Sequence, residues 1–213
     1  SAKVKARGTG AAGKRTKEQA VAAREAAERT VSSLVSDGKS LLVWTDGSAI
    51  KNPGPAGAGV RIRRKDGSIH RQLAYSLGKA SNQLGELWAI DGALESIEGE
   101  SELFEEKEIH FFTDSMYSIN CLLGKWYSAK KFTIIEKVKG LMKDSTRTVH
   151  LHHVAGHAGI PDNEAADELA SQGSKFSETA GSDHTFDLNA VVRNHGFNFL
   201  TISNNSTASH SVT

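Results

Sequence analysis

The apolar positions along the chain change period several times, and each change marks an element. Residues 41–45, Leu-Leu-Val-Trp-Thr, form a short apolar run ending at Asp46, the pattern of a buried strand. After a turn-rich stretch, residues 56–64 and 68–77 read as a hairpin joined through Asp66-Gly67, a two-residue turn signal, with alternation at Ala58, Val60 and Ile62. Leu84, Leu87, Ile90, Leu94 and Ile97 then recur at three- and four-residue spacing, the period of an amphipathic helix, with Glu86 on its first turn. Residues 109–113 are a fourth strand delivering Asp114 at its end. A short helix over 115–123, a helix over 132–142, a fifth strand over 149–154 and a helix from about 162 to 171 complete the series. This order predicts an α/β fold: a five-stranded mixed sheet, three antiparallel strands then two parallel, flanked by helices.

The flanks have a different texture. Residues 1–15 carry five basic side chains (Lys3, Lys5, Arg7, Lys14, Arg15), no acidic ones and three glycines, too little apolar surface to fold alone. Such an arm is either a sequence-independent hold on phosphate backbone or a solvated linker. From residue 16 to about 35 good helix formers dominate, and Ala20, Ala23, Ala27, Val31 and Leu34 give a small, weakly apolar face. Beyond Gly173 the chain turns rich in Ser, Asn, Thr and His. The expected organisation is a basic, partly helical extension over 1–40, a catalytic domain over 41–173, and a disordered tail over 174–213.

Composition narrows the classes. With 213 residues, 38% hydrophobic, 24% charged and a net charge of +1, the chain has the balance of a globular protein rather than a disordered or fibrous one. A single cysteine, Cys121, rules out an internal disulfide framework and a cysteine-based zinc site, and reads as a small core residue. The sequence has no run of about 18 apolar residues and no secretory signal, so no membrane partner is expected. The absence of an initiator Met suggests a processed product or a domain excised from something longer.

Four acids carry the candidate chemistry. Asp46 and Asp114 each close an apolar strand, followed by Gly47-Ser48 and Ser115, and neighbouring strands would bring them to one spot. Singly, each has a plainer reading as a turn former or cap. Glu86 and Asp167 each sit one turn into a helix, where the dipole alone favours an acid. Together they imply a bound cation, because packed carboxylates repel one another unless a divalent ion intervenes. An all-oxygen set suits Mg²⁺ or Mn²⁺ and disfavours zinc. Two such ions, roughly 3.5–4 Å apart, serve in-line phosphodiester displacement. His157, between glycines in Gly156-His157-Ala158-Gly159, is placed to shuttle a proton or help product leave. His152 and His153 lie in a strand and read as structural.

Taken together, Thr45-Asp46-Gly47-Ser48 with Asn52-Pro53-Gly54-Pro55-Ala56-Gly57, Ser81-Asn82-Gln83 with Glu86, Thr113-Asp114-Ser115, and Gly156-His157-Ala158-Gly159 with Asp162-Asn163-Glu164 and Asp167-Glu168-Leu169-Ala170 closely resemble type 1 ribonuclease H. The resemblance covers about residues 41–173. It implies an endonuclease that hydrolyses the RNA strand of an RNA/DNA hybrid, leaving 5′-phosphate and 3′-hydroxyl ends. It implies two Mg²⁺ ions, with Mn²⁺ as substitute, held by Asp46, Glu86, Asp114 and Asp167, and a loop histidine, His157, that assists turnover. By the same resemblance Gly47, Ser48, Asn52, Asn82 and Gln83 meet the hybrid, the last three where 2′-hydroxyls are sensed. Lys79 and Ser81 match positions gripping a DNA phosphate, with Lys79 where Arg is frequent.

The sequence also departs from that pattern. Asp114 and His157 are 157 − 114 = 43 residues apart, shorter than in members with an extra basic helix and loop for gripping the hybrid. Trp126, Lys130 and Lys131 are either a remnant of that grip or an apolar anchor with a solvated face. Members without the protrusion include retroelement domains, so a reverse transcriptase domain of the same polyprotein is an expected partner; otherwise a monomer is expected, in the nucleus or mitochondrion by function alone. Gly85, inside the Glu86 helix, costs about 1 kcal/mol relative to Ala and has no account at this level. Two other readings share the motifs: a hybrid-binding scaffold without catalysis, and an integrase or exonuclease relative.

Overall fold

The computed structural model describes residues 15–179 and the backbone of 199–202. Residues 1–14 of the basic arm and most of the Ser- and Asn-rich tail lie outside the described residues. Among the described residues six strands form one sheet: β1 (Ser40–Ala49), β2 (Gly54–Arg63), β3 (Ile69–Ala80), β4 (Glu108–Thr113), β5 (Thr148–His153) and β6 (Phe199–Ile202), in the spatial order β5-β4-β1-β2-β3-β6. β1, β2 and β3 are antiparallel neighbours, while β4 joins β1 and β5 joins β4 in parallel. This is the expected five-stranded mixed sheet. One strand is added to it: β6 pairs antiparallel with β3, setting Gln72 opposite Ile202 and Tyr75 opposite Phe199.

Among the described residues five α-helices cover the two faces: α1 (Lys17–Asp37), α2 (Asn82–Glu98), α3 (Met116–Leu122), α4 (Phe132–Asp144) and α5 (Pro161–Thr179). On one face Leu87, Ile90, Leu94 and Ile97 of α2 are fully buried with Leu41 and Val43 of β1, together with Cys121 of α3 and Ile134, Ile135 and Val138 of α4. Asp91 of α2, also buried, is held by Lys137 of α4 at 2.8 Å, which ties those two helices together. On the other face Leu42, Trp44 and Phe112 meet Ile160 and Ala166, and Trp44 stacks on Phe112 with centroids 4.9 Å apart. The small face of α1 closes that second core: Ala20, Ala23, Ala27, Val31 and Leu34 all lie against it. α1 is delimited by Thr16, which forms a reciprocal capping box with Gln19, and by Gly38 in the left-handed conformation.

Two boundaries differ from the sequence reading for local reasons. The hairpin turn between β2 and β3 spans residues 64–68 rather than two residues, because Asp66 Oδ1 accepts from both the backbone and the hydroxyl of Ser68, an Asx turn, while Gly67 takes a positive φ. The last helix does not stop near residue 171, and the segment beyond Gly173 does not begin as disordered tail. α5 runs on to Thr179, since Ser174 and Ser177 are buried against the sheet and Ser177 Oγ donates to Ala56 O at 2.6 Å. Serines that read as tail composition are helix residues with partners on the sheet, Ser174 on β1 and Ser177 on β2 and β3. No helix among the described residues is long and apolar enough to cross a membrane.

Candidate active site

The sheet brings Asp46 and Asp114 together because β1 and β4 are parallel neighbours, with Trp44 level with Phe112. Both acids sit at the same end of adjacent strands. Asp46 is buried and fixed by the Gly47 amide, which donates to its Oδ1 at 2.8 Å. Glu86 arrives from α2, which crosses β1 at unusually short range: a Cβ on Gly47 would lie 2.3 Å from Glu86 N, and one on Gly85 would lie 2.7 Å from Gly57 O and 3.0 Å from Gly47 Cα. That is the account of Gly85: only a helix with no side chain there can come close enough to seat Glu86 beside Asp46. Thr113 Oγ1 donates to Glu86 Oε2 at 3.4 Å. Gly156 clears space from the opposite side, as a Cβ there would meet Asp114 Oδ2 at 2.2 Å.

Carboxylate oxygens of Asp46, Glu86 and Asp114 all lie within 4.8 Å of one another. The fourth acid, Asp167 on α5, forms a second group at the same spacing with His157 and Glu164. It borders the first group closely enough for its charge to raise both Asp46 and Asp114. Burial pushes the Asp46 carboxyl up to about 7, with the charge of Asp114 adding to it while the hydrogen bond with Glu86 pulls the other way. Burial likewise drives Glu86 well above the usual carboxylate range, reinforced by Asp46. Asp114 is raised by burial and by Asp167, with His157 and His153 opposing. Without a cation these carboxyls are kept from ionising together. A divalent ion relieves burial cost and repulsion at once, and an all-oxygen donor set of this size fits Mg²⁺ or Mn²⁺.

The other residues singled out from the sequence surround this point. His157 is exposed, at φ 51°, at the tip of its loop. Gly159 N donates to Glu164 Oε1 at 3.2 Å, tying the loop to α5, and Arg15 donates to Gly156 O at 2.7 Å from the start of α1. Asn52 Oδ1 accepts from the Asn82 amide at 3.1 Å, which sets the β1–β2 turn against the N-terminus of α2. Ser81 caps α2 by accepting from Leu84 N. Asn82, Gln83, Asn52 and Lys79 are all exposed along one side, and Ser48, half-buried, contacts Ser174 at 3.3 Å. Lys131, which the sequence left undecided, donates to Gln83 Oε1 at 3.1 Å and lies over the Tyr117 ring. Trp126, Tyr127 and Phe132 are exposed beside it. Sequence reasoning overlooked Arg15, Thr113, Glu164 and Tyr117 as neighbours of the site; an exposed aromatic run beside two lysines was the available signal for Tyr127 and Phe132.

A mixed sheet of this order, with acids converging where its antiparallel and parallel halves meet, has the ribonuclease H-like fold. The ribonuclease H family model matches residues 38–175, and the chain belongs to that family. Among its relatives, a ribonuclease H of Brucella ovis is 32% identical over 154 residues, covering 67% of this chain and 95% of that protein. One from Paracoccus denitrificans is 33% identical over 148 residues, covering 63% and 92%. Of solved structures, LC11-RNase H1 in complex with an RNA/DNA hybrid superposes with a TM-score of 0.58 at 22% identity, covering 65% of this chain and 99% of that one. A foamy viral protease-reverse transcriptase in complex with RNA/DNA hybrid gives 0.52 at 22% identity, covering 64% of this chain and 20% of that one. α1 lies outside the family match.

Proposed function

We propose that this ribonuclease H cuts the RNA strand of RNA/DNA hybrids by a two-metal-ion mechanism, releasing 5′-phosphate and 3′-hydroxyl ends. The observation that carries this reading is the convergence of Asp46, Glu86 and Asp114 within 4.8 Å, bordered by Asp167. These four side chains would hold two Mg²⁺ ions, or Mn²⁺ in their place. Bound there, the ions supply Lewis-acid activation of water and charge stabilisation at the leaving oxygen.

The chain's own residues do the rest. Asp46 is oriented by the Gly47 amide and Glu86 by Thr113, so the acids are held before substrate arrives. Asn52, Asn82 and Gln83 present amide groups along the rim, suited to minor-groove edges and 2′-hydroxyls, the feature that separates RNA from DNA. Lys79 and Ser81 take a phosphate of the DNA strand, and Lys131 with Trp126 extends that grip past Gln83. His157, exposed beside Asp114 and Asp167, moves a proton as product departs. A matched substrate set tests this: the end-labelled RNA of a hybrid should be cut only with Mg²⁺ or Mn²⁺, while RNA/RNA and DNA/DNA duplexes stay intact. A DNA duplex cut as fast as the hybrid would contradict the reading.

A reverse transcriptase partner has less support. The bacterial relatives are covered over more than nine-tenths of their length, whereas the viral protease-reverse transcriptase is matched over only 20% of its own.

A further inference from the structure

Histidines cluster a second time, far from the acids. His110 on β4 and His150 and His152 on β5 share one face of two parallel strands, with His110 paired to His150 in register. The His110 ring stacks on His150 with centroids 4.2 Å apart and on His152 at 5.1 Å. Glu108, two residues before His110 on the same face, completes the group. Its Oε2 lies 3.1 Å from His110 Nε2 and 3.3 Å from His150 Nε2, and ligand atoms of all three residues fall within 4.8 Å of one another.

Three details separate this cluster from ordinary surface histidines. Zinc–ligand bonds of about 2.0–2.2 Å in tetrahedral geometry place neighbouring ligand atoms roughly 3.3 Å apart, close to the 3.1 and 3.3 Å from Glu108 Oε2 to the two imidazole nitrogens, and a turn of the stacked rings about their Cβ–Cγ bonds would bring both lone pairs onto one ion. His150 Nε2 is buried and makes no hydrogen bond, its approach to Glu108 being misaligned, so it carries a lone pair or proton with nothing to receive it. The surroundings are also arranged for a ligand set. Lys39 Nζ occupies the other oxygen of Glu108 at 2.9 Å and leaves Oε2 facing the imidazoles. His110 Nδ1 lies 2.8 Å from His152 Nε2, the second-shell contact that fixes tautomer and ring orientation in metal-bound histidine.

We propose that Glu108, His110 and His150 bind one divalent ion of the zinc class, stapling β4 to β5 at the end away from the catalytic acids. Two imidazoles and one carboxylate favour zinc or a neighbouring transition metal over Mg²⁺. Without metal, His110 Nε2–H donates to Glu108 and Nδ1 accepts from His152. With metal on Nε2, the His110 proton sits on Nδ1 and is donated to His152 Nε2, whose own proton moves to Nδ1 of that ring, and the orphaned nitrogen of His150 gains a partner. His110 is four residues from Asp114, about 13 Å along a strand, so the site is separate from the catalytic cluster. Its role is to hold the edge strand β5, whose end launches the His157 loop.

The test uses the full chain with excess Mg²⁺, titrated with Zn²⁺ by calorimetry and with Co²⁺ by visible absorption. One ion per chain is expected, with the intense bands of four-coordinate Co²⁺ and a metal-dependent rise in melting temperature. His150→Gln and Glu108→Gln should each abolish the bands, and His152→Phe should weaken binding roughly 10–100-fold. Asp46→Asn and Glu164→Gln, which alter the catalytic cluster and the His157 loop group, should leave the bands intact. Absence of a bound ion, or bands that survive both His150→Gln and Glu108→Gln, would overturn the proposal.

Discussion

Asp46 shows how much of the site's physics resides in single residues. Its carboxyl titrates near 7 in the metal-free fold, against about 3.8 when free, so the folded state holds a proton that the unfolded chain has released. A carboxyl raised in this way penalises folding increasingly as pH climbs from about 4 to 7, and the full penalty remains above that. The metal-free protein should therefore melt higher near pH 5 than near pH 8, and Mg²⁺ should raise the melting temperature more at pH 8. Asp46→Asn should remove the part of this pH dependence that Asp46 carries, leaving that of Glu86 and Asp114, stabilise the metal-free fold by up to a few kcal/mol, and still lower cleavage by about 1,000-fold or more. Differential scanning calorimetry at the two pH values, with and without metal, reads the first effect. Equal melting temperatures would contradict it.

Gly85 makes the complementary point about space. Ala is the better helix former, so Gly85→Ala ought to stabilise an isolated helix by about 1 kcal/mol. Here the added methyl would meet the backbone of Gly57 and Gly47. The substitution should cost about 1–3 kcal/mol instead and reduce cleavage by displacing Glu86. Urea titration beside an activity assay separates the two readings: a gain in stability would mean that α2 does not ride as close to β1 as described.

At the scale of elements, the core strands and α2 were legible because one period dominates each: an apolar run for 41–45, three- and four-residue spacing for 84–97. The acids were legible because chemistry puts them where packing does not, at strand ends and first turns. What escaped was set by tertiary partners. Ser174 and Ser177 belong to a helix because β1 offers a hydrogen bond to the first and β2 and β3 to the second, and no propensity records that. β6 has no alternation to announce it and is defined by the free edge of β3. The His110, His150 and His152 group spans two strands 40 residues apart and becomes visible only when β4 and β5 pair.

α1 illustrates an element whose helicity was readable while its docking was not. Its alanine face lies on Trp44 and Phe112, so Val31→Asp, placing a charge against that core, should destabilise the protein by roughly 1–3 kcal/mol. An unchanged melting temperature would mean that α1 does not dock in solution. Lys137, which joins α4 to Asp91 on α2, is a second such link. Lys137→Met would leave Asp91 buried without its cation and should cost roughly 3 kcal/mol.

For the whole molecule, catalysis and grip are unevenly provided. Asp46 and Glu86 are buried and oriented within the sheet, while grip falls to the surface around Gln83, where Lys125, Lys130 and Lys131 sit beside exposed rings. Binding should therefore weaken as salt rises. Lys131→Ala should raise KM for a hybrid several-fold while leaving kcat nearly unchanged, as measured by steady-state cleavage at two salt concentrations. A fall in kcat alone would place Lys131 in the chemistry instead of the grip.

The most direct measurement is cleavage of an end-labelled RNA/DNA hybrid by the wild-type chain and by Asp114→Asn, each with Mg²⁺ and with chelator. Cutting of the RNA strand confined to wild type with Mg²⁺, leaving 5′-phosphate ends, is the predicted result. Cutting that persists in Asp114→Asn or in chelator would contradict the assignment of these acids as a metal-dependent centre.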